Sequence, residues 1–294
     1  MTHIIAACGD LHCGSTVGWC PPDGLELDDG GMYEPSEAQL WLWQCWEQAW
    51  AKAKEIIGRD EWSLVLNGDL IDGDHHRSSQ IASVLTGIHV RCAMESLQVP
   101  LDLKPSSIHI CRGTPSHTGR SGEVEEGISR TLKNQLYPVV KDPDTGNFSS
   151  YRRRIDVEKV RFSVAHHGRM GMRAHTRGSY SRLFAFDIWA ETALDLIRDL
   201  RNATDHKEVF ERKRPPDVAI RSHRHQFQDS GYDHRGITRV VSMPAYQLAT
   251  EFVHKITAAE SLADIGIVLF ICNKGEVEVR PILFTPRRET VVRA

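Results

Sequence analysis

Residues 4–14 read Ile-Ile-Ala-Ala-Cys-Gly-Asp-Leu-His-Cys-Gly. The apolar residues at the start of this stretch predict a buried strand, and the Gly-Asp pair after them predicts that the strand ends in a loop. Asp10 and His12 stand one residue apart, so an extended backbone would turn both side chains the same way, toward one cation. Alone, such a pair is more often a surface or capping feature, so its meaning depends on the later chain.

Four later apolar segments also end in Asp, His or Gly. They are 62–67, before Gly68-Asp69; 107–111, before Gly113; 160–165, before His166-His167-Gly168; and 217–221, before Ser222-His223-Arg224-His225. In open α/β sheets the loops at the carboxyl ends of the strands converge on one crevice. The pattern therefore predicts an α/β fold in which these side chains meet. No repeat or linker interrupts the chain, which favours one domain over residues 1–294.

Helical periodicity and turn residues predict the remaining elements. Ser36 and Gln39 form a capping box ahead of a helix with a tryptophan stripe. We also expect helices at 78–97, 123–135 and 181–201, a hairpin of 151–156 with 160–165, and an exposed loop at 20–35.

Composition limits the class of protein. The chain has 294 residues, of which 40% are hydrophobic and 26% charged, with a formal net charge of -3. It can bury a core, but it has no overall basic field for nucleic acid, so any such contact must be local. Seven cysteines without a CxxC pattern indicate reduced thiols. No apolar run approaches the roughly 18 residues of a membrane span. We therefore expect a soluble cytoplasmic protein without a membrane partner, and the oligomeric state stays open.

Taken together, the strand-end motifs resemble those of the calcineurin-like metallophosphoesterase family. The matching motifs are Gly9-Asp10-Leu11-His12, Gly68-Asp69-Leu70-Ile71-Asp72, Gly113-Thr114-Pro115-Ser116-His117, His166-His167-Gly168 and Ser222-His223-Arg224-His225. The resemblance implies a four-layer α/β/β/α sandwich with two mixed β-sheets. It also implies a dinuclear-metal-dependent phosphoesterase that hydrolyses a phosphomonoester or phosphodiester through a metal-bridging hydroxide. The expected cofactors are two divalent ions, manganese in first place and iron, zinc or nickel as alternatives.

The resemblance also implies a role for each matching residue. Asp69 would bridge the two ions, and Asp72 would orient a catalytic histidine. His167 is preferred over His166 because the family's ligand directly precedes the glycine. The implied ligands of the first ion are Asp10, His12 and His225, and those of the second are His167 and His223.

The third motif departs from the family's Gly-Asn-His. Thr114 stands where the family has its asparagine, and the histidine is delayed to His117. Two roles for His117 stay open, metal ligand and general acid. A second departure is Ser222 in place of glycine, a mild change unless that position needs a positive φ. The Gly-Thr-x-x-His form resembles phage and prophage members of the family, which suggests a viral origin and a host cytoplasm.

Side chains beside the motifs are further candidates. His75 and His76 could contact substrate or supply a proton, or simply be exposed loop histidines. Arg169 and Arg173 could clamp a substrate phosphate, because guanidinium matches phosphate oxygens in bidentate fashion, or belong to a solvated basic loop. DNA or RNA is one candidate substrate, which would make the enzyme a nuclease. The alternative is a non-catalytic, metal-stabilised scaffold that binds nucleic acid or a protein partner.

Overall fold

The computed structural model describes residues 2–75, 78–168, 177–231, 238–257 and 263–286. The strands in this part of the chain are β1 (His3–Cys8), β2 (Leu25–Glu26), β3 (Met32–Tyr33), β4 (Glu61–Asn67), β5 (Ser107–Cys111), β6 (Ser149–Ser150), β7 (Arg153–Val157), β8 (Val160–Val164), β9 (Val218–Arg221), β10 (Gln228–Asp229), β11 (Arg239–Ser242), β12 (Ile265–Asn273) and β13 (Glu276–Phe284). The helices are α1 (Glu37–Ile57), α2 (Thr86–Leu101), α3 (Pro115–Thr118), α4 (Glu123–Asn134), α5 (Arg177–Asn202), α6 (His206–Lys213) and α7 (Glu251–Thr257).

The larger sheet has six strands in the order β13-β12-β1-β4-β5-β6. Strands β1, β4, β5 and β6 run parallel, whereas β12 and β13 add antiparallel pairs at one side. The register sets Ala7 opposite both Val65 of β4 and Val268 of β12. Because β1, β4 and β5 are parallel neighbours, the loops that follow them emerge at the same edge of the sheet.

The smaller sheet has five strands in the order β10-β11-β9-β8-β7. Its three central strands run parallel, and β7 and β10 pair antiparallel with them. Val164 of β8 lies opposite Ile220 of β9, so these two strands end side by side. Both sheets are therefore mixed, as predicted.

Three apolar clusters separate four layers. One cluster lies between the sheets, where Phe162 of the smaller sheet meets Phe270 of the larger one with ring centroids 5.6 Å apart. A second cluster joins α1, α2 and α4 to the outer face of the larger sheet, with Trp46 at its centre. A third joins α5 to Ala219 and Val240 of the smaller sheet. The predicted α/β/β/α sandwich is confirmed.

Local interactions explain where several elements begin. The capping box ahead of α1 is present, since the Gln39 N–H donates to Ser36 Oγ and the Ser36 N–H donates to Gln39 Oε1. The β7–β8 hairpin is confirmed, and its turn uses positive φ at both Glu158 and Lys159, as two-residue hairpin turns require.

The predicted helix start at residue 78 is wrong. The Gln80 carbonyl accepts a hydrogen bond from the Thr16 N–H at 2.9 Å, and the Ala82 N–H donates to the Gly14 carbonyl at 2.8 Å. These backbone groups are committed to the loop after β1 and cannot enter a helix, so α2 begins at Thr86. In the described residues, no helix combines the length and the apolar character needed to cross a membrane.

Candidate metal centre

The loops that follow β1, β4, β5, β8 and β9 meet at one edge of the sandwich. Buried Asn67, at the end of β4, donates through Nδ2 to the Ala165 carbonyl at 3.2 Å and to Ser222 Oγ at 2.7 Å. The His223 N–H donates to the Asp10 carboxylate at 3.1 Å. These bonds fix the strand ends of one sheet against those of the other, so residues far apart in sequence share one site.

The backbone at this edge is not extended. Positive φ angles occur at Asp10 (50°), His12 (45°), Asp69 (51°), His223 (72°) and His225 (53°). The geometry expected for the two pairs spaced one residue apart is therefore wrong, although their side chains do converge. Left-handed backbone at a non-glycine residue costs on the order of 1–3 kcal/mol. Such a concentration of strain at one place is typical of functional sites.

The backbone at position 222 does not need the glycine that stands at this place in the resembling motif. Ser222 is absent from the described non-glycine residues with positive φ, whereas His223 and His225 are among them. The serine hydroxyl instead accepts the hydrogen bond from Asn67. The change from glycine is therefore compatible with the local backbone.

Asp10, His12 and His225 form the first cluster of donor atoms. His225 Nε2 lies 3.2 Å from His12 Nε2 and 3.3 Å from Asp10 Oδ1. His12 Nε2 and Asp10 Oδ1 are 3.9 Å apart, and both residues are buried. All three side chains thus turn one nitrogen or oxygen toward a common point.

Asp72 lies behind His12. Its Oδ1 accepts a hydrogen bond from His12 Nδ1 at 2.9 Å and one from Gln247 Nε2 at 3.2 Å. Burial would raise the pKa of Asp72, but hydrogen bonds to His12 and His75 hold that pKa well below its usual range. The carboxylate therefore keeps His12 Nε2 pointing into the first cluster. No sequence signal identified Gln247, which lies 175 positions from Asp72.

Asp69, Thr114, His166 and His223 form the second cluster. Asp69 Oδ2 lies 2.8 Å from His166 Nε2 and accepts a hydrogen bond from Thr114 Oγ1 at 3.0 Å. Thr114 Oγ1 lies 3.3 Å from His166 Nε2 and 3.2 Å from His223 Nδ1. The Thr114 N–H also donates to Asp69 Oδ1 at 2.6 Å. Thr114 thus contacts each of the other three side chains of this cluster.

His166 is fully inside the site, whereas His167 is exposed at its rim. Burial by itself would lower the pKa of His166, but the carboxylates of Asp69 and Asp10 outweigh it and raise that pKa to about 9. His167 contacts the cluster through ring packing, with centroids 4.9 Å from His166 and 4.6 Å from His223. His167, which the motif favours as a ligand, is the less buried of the two adjacent imidazoles, and its ligand nitrogen lies within 4.8 Å of those of His166 and His223.

His117 is carried by the short helix α3. Its Nδ1 donates to the Asp72 carbonyl at 2.5 Å, and its ring packs edge-on against His12 with centroids 4.6 Å apart. A carbonyl can only accept, so Nε2 is the nitrogen left for chemistry. Burial, reinforced by the charge of His12, lowers the pKa of His117 to about 4. Nε2 of the neutral ring therefore carries a lone pair, which suits a metal ligand as it stands and a general acid only after the ring is protonated.

His76, Arg169 and Arg173 lie outside the described residues. His75 is described and lies near the site, with Nε2 3.4 Å from Asp72 Oδ2 and its ring 4.3 Å from that of His117.

The donor set fits divalent transition metals. Five overlapping groups of three side chains place all their ligand atoms within 4.8 Å of one another, and every member is an Asp or a His. Imidazole nitrogens and carboxylate oxygens suit manganese, iron, zinc and nickel. The seven cysteines are free and buried, and none belongs to these groups.

No family model and no curated protein matches the chain. Its fold is similar to that of several solved structures at low sequence identity. An archaeal phosphodiesterase is 12% identical, with coverage of 96% of this chain and 99% of that one and a TM-score of 0.38. A predicted phosphoesterase from Streptococcus pneumoniae is 7% identical, with 96% and 90% coverage and a TM-score of 0.35. Vps29 from Entamoeba histolytica, in complex with zinc, is 10% identical, with 96% and 99% coverage and a TM-score of 0.33. At these TM-scores the likeness does not assign a function, which has to come from the chain's own residues.

Proposed function

We propose that this chain is a metal-dependent phosphoric ester hydrolase with two divalent cations, manganese in first place. The observation that supports this most directly is the pair of donor clusters at one edge of the sandwich. Asp10 and Asp69, one in each cluster, both approach His166 Nε2, at 3.8 Å and 2.8 Å. The clusters are therefore neighbours, which is the arrangement a two-metal site needs.

Asp10, His12 and His225 would hold one cation, and Asp69 would lie between the two. Two bound cations would offset the charge of a phosphoryl group and lower the pKa of an attacking water. The protein's own contribution is orientation. Asp72 fixes the His12 ring through Nδ1, and such outer partners of a ligand set its tautomer and direction.

His117 is our candidate for the general acid that gives the leaving group its proton. Its Nδ1–H is held by the Asp72 carbonyl, so Nε2 of the neutral ring carries a lone pair. Because its pKa is lowered to about 4, the ring has to take up a proton on Nε2 before it can pass one to a departing oxygen. A threonine hydroxyl already occupies the second cluster, so His117 is not needed there as a replacement for the family's asparagine. His12, Asp69 and His117 nevertheless form one of the metal-competent groups, and loss of metal from His117→Ala would favour the ligand role.

The test compares metal-stripped and manganese-reconstituted protein on p-nitrophenyl phosphate and bis-p-nitrophenyl phosphate. We expect hydrolysis only after reconstitution, and loss of turnover in Asp69→Asn with an unchanged circular dichroism spectrum. Asparagine tolerates the positive φ of that position, so the fold should survive. Asp142→Asn is the control, because this carboxylate lies outside both donor clusters and accepts hydrogen bonds from the backbone N–H groups of Asp144 and Thr145 and from Thr145 Oγ1. Hydrolysis that is indifferent to metal, or absent from the reconstituted protein, would overturn the proposal.

Nucleic acid is the substrate class that needs a separate test. The chain has a net charge of -3, so a nuclease would have to track the phosphate backbone with a local patch. Binding to single-stranded DNA that weakens steeply with salt would support a nuclease, whereas a flat response would favour a small phosphate ester. A non-catalytic scaffold would instead lose its fold on chelation and show no turnover when reloaded.

A further inference from the structure

The chain crosses from the larger sheet to the smaller one beside the candidate metal centre. Ser150 is the last residue of β6, which runs parallel to β5, and Arg153 is the first residue of β7, which pairs with the end of β8. The two residues between them are Tyr151 and Arg152. They therefore lie at the edge of the sandwich where the loops after β5 and β8 bring in side chains of the second cluster.

Hydrogen bonds fix the backbone of this crossover. Buried Arg153 donates through Nη2 to the Phe148 carbonyl at 2.7 Å and through Nε to the Ile110 carbonyl at 3.4 Å. Ser150 Oγ donates to the Arg152 carbonyl at 2.9 Å. A ligand that binds to the side chains of the crossover would not have to order its backbone first, which lowers the cost of binding.

Tyr151 presents an aromatic ring to solvent at this place. Its side chain is 49% exposed, and the Arg112 guanidinium carbon lies 5.4 Å from the ring centroid. Arg112 is itself held in position, since it donates to Ser149 Oγ at 2.9 Å and to the Ser121 carbonyl at 2.8 Å. Glu126, 3.7 Å away, offsets part of its charge. A half-exposed ring beside a fixed guanidinium is a surface on which a nucleobase can stack.

Arg152 adds positive charge next to that ring. Its side chain is exposed. Burial, and after it the charge of Arg152, lowers the pKa of Arg221 to about 10, so Arg152 lies close to the end of β9. An exposed guanidinium can bind phosphate oxygens in bidentate fashion. The chain has no overall basic field, and these arginines supply a local one beside the centre that would take the scissile phosphate.

We propose that Tyr151 and Arg152 bind a single-stranded nucleic acid at the rim of the metal centre. One base stacks on the Tyr151 ring, and a backbone phosphate pairs with the Arg152 guanidinium. A duplex keeps its bases stacked on one another, so the exposed ring favours a single strand. Stacking of this kind tolerates any sequence, because every base has an aromatic face. This inference rests on the proposed function and names the substrate class of the same site.

The experiment measures binding by the full chain reconstituted with manganese. The probe is a fluorescein-labelled phosphorothioate oligothymidylate, which resists hydrolysis, and the readout is fluorescence anisotropy. Loss of one stacked base weakens binding by roughly 5- to 150-fold, so we expect a loss of this size in Tyr151→Ala and near wild-type affinity in Tyr151→Phe, which keeps the ring. Arg152→Gln should lower the slope of log affinity against log salt by about 0.7, the value of one phosphate contact on a single strand.

Helix α6 provides matched controls, because it leads into the start of β9 and so lies at the opposite end of the strands from the metal centre. Phe210 and Arg212 are both exposed on this helix. Phe210→Ala and Arg212→Gln should therefore bind the probe like the wild type. An abasic version of the probe should bind the wild type and Tyr151→Ala equally, since it has no base to stack.

Unchanged affinity in Tyr151→Ala, or an equal loss in Phe210→Ala, would overturn the inference. So would a wild type that does not bind the oligonucleotide, a result that would instead favour a protein partner for this surface. Metal-dependent hydrolysis of bis-p-nitrophenyl phosphate without any effect of Tyr151→Ala on the probe would overturn this inference alone. Binding that depends on Tyr151, in a chain that hydrolyses no phosphate ester, would overturn the proposed function and leave the binding surface standing.

Discussion

Replacement of Asp72 by asparagine tests the residue that orients His12 without changing any side chain of the first cluster. Asp72 is buried and does not belong to the Asp10–His12–His225 set, but its Oδ1 accepts the His12 Nδ1 hydrogen bond at 2.9 Å. Asparagine keeps the shape and one carbonyl oxygen but loses the charge. Loss of such an outer partner weakens metal binding by about 10–100-fold, or about 1.4–2.8 kcal/mol. The metal-free fold should lose only about 1 kcal/mol, because a neutral hydrogen bond replaces a charge-assisted one.

The assay is calorimetric titration of metal-stripped Asp72→Asn with Mn²⁺, beside denaturant unfolding of the same sample. Asp142→Asn controls for the loss of a buried carboxylate elsewhere, and we expect its metal affinity to equal that of the wild type. Wild-type affinity in Asp72→Asn would refute the reasoning, since His12 would then hold its direction unaided. Equal loss of affinity in the two variants would also refute it.

Three further changes test the site and the core. Gly113→Ala would set a methyl group 2.1 Å from Asp69 Oδ1 and 2.3 Å from its backbone nitrogen, so we expect Asp69 to be displaced and metal-dependent hydrolysis lost in a kinetic assay. Burial, reinforced by the charge of Arg153, lowers the pKa of His109 from 6.5 to about 4. Protonation therefore favours the unfolded chain. Stability should fall by about 3 kcal/mol as the pH drops from 6.5 to 4, and denaturant unfolding of His109→Gln should lack this part of the fall. Trp46→Ala should cost about 3–5 kcal/mol in unfolding free energy, because Trp46 is fully buried and donates through Nε1 to the Ser96 carbonyl at 3.0 Å.

Each of these predictions has a control or a contrary result. Gly127 has nothing within 4 Å of an added methyl group and lies in α4. Gly127→Ala should therefore raise stability by about 0.5–1 kcal/mol and leave hydrolysis intact. An equal pH dependence in wild type and His109→Gln would place the acid sensitivity elsewhere. Leu136 is 92% exposed, so Leu136→Ala should change the unfolding free energy by no more than about 0.5 kcal/mol.

The architecture was predictable because its signals are local. Short apolar segments that end in Gly, Asp or His marked the parallel strands, and a capping box marked the start of α1. The segment 78–85 was not predictable in this way, because its backbone pairs with the loop after β1 rather than with itself. Tertiary hydrogen bonds there outweigh the helical preference of the local sequence.

Within the site, the sequence predicted which loops converge but did not predict every side-chain contact among them. Strand alternation accounts for the burial of His166: Val160, Phe162 and Val164 face the space between the sheets, and residue 166 continues that series. Gln247 carried no such signal, and at Thr114 the sequence marked only a departure from the resembling motif. Their contacts with Asp69 and Asp72 exist only because separate loops fold onto the same edge.

The most direct test of the two-metal account is a crystal structure of the manganese-loaded chain, with anomalous scattering recorded above and below the metal absorption edge. The account predicts two peaks roughly 3.5–4 Å apart. One should lie among Asp10, His12 and His225, and the other among the second-cluster atoms of Asp69 and His223. A loaded crystal with no peak at this edge of the sandwich, or with its only peak elsewhere, would contradict the account.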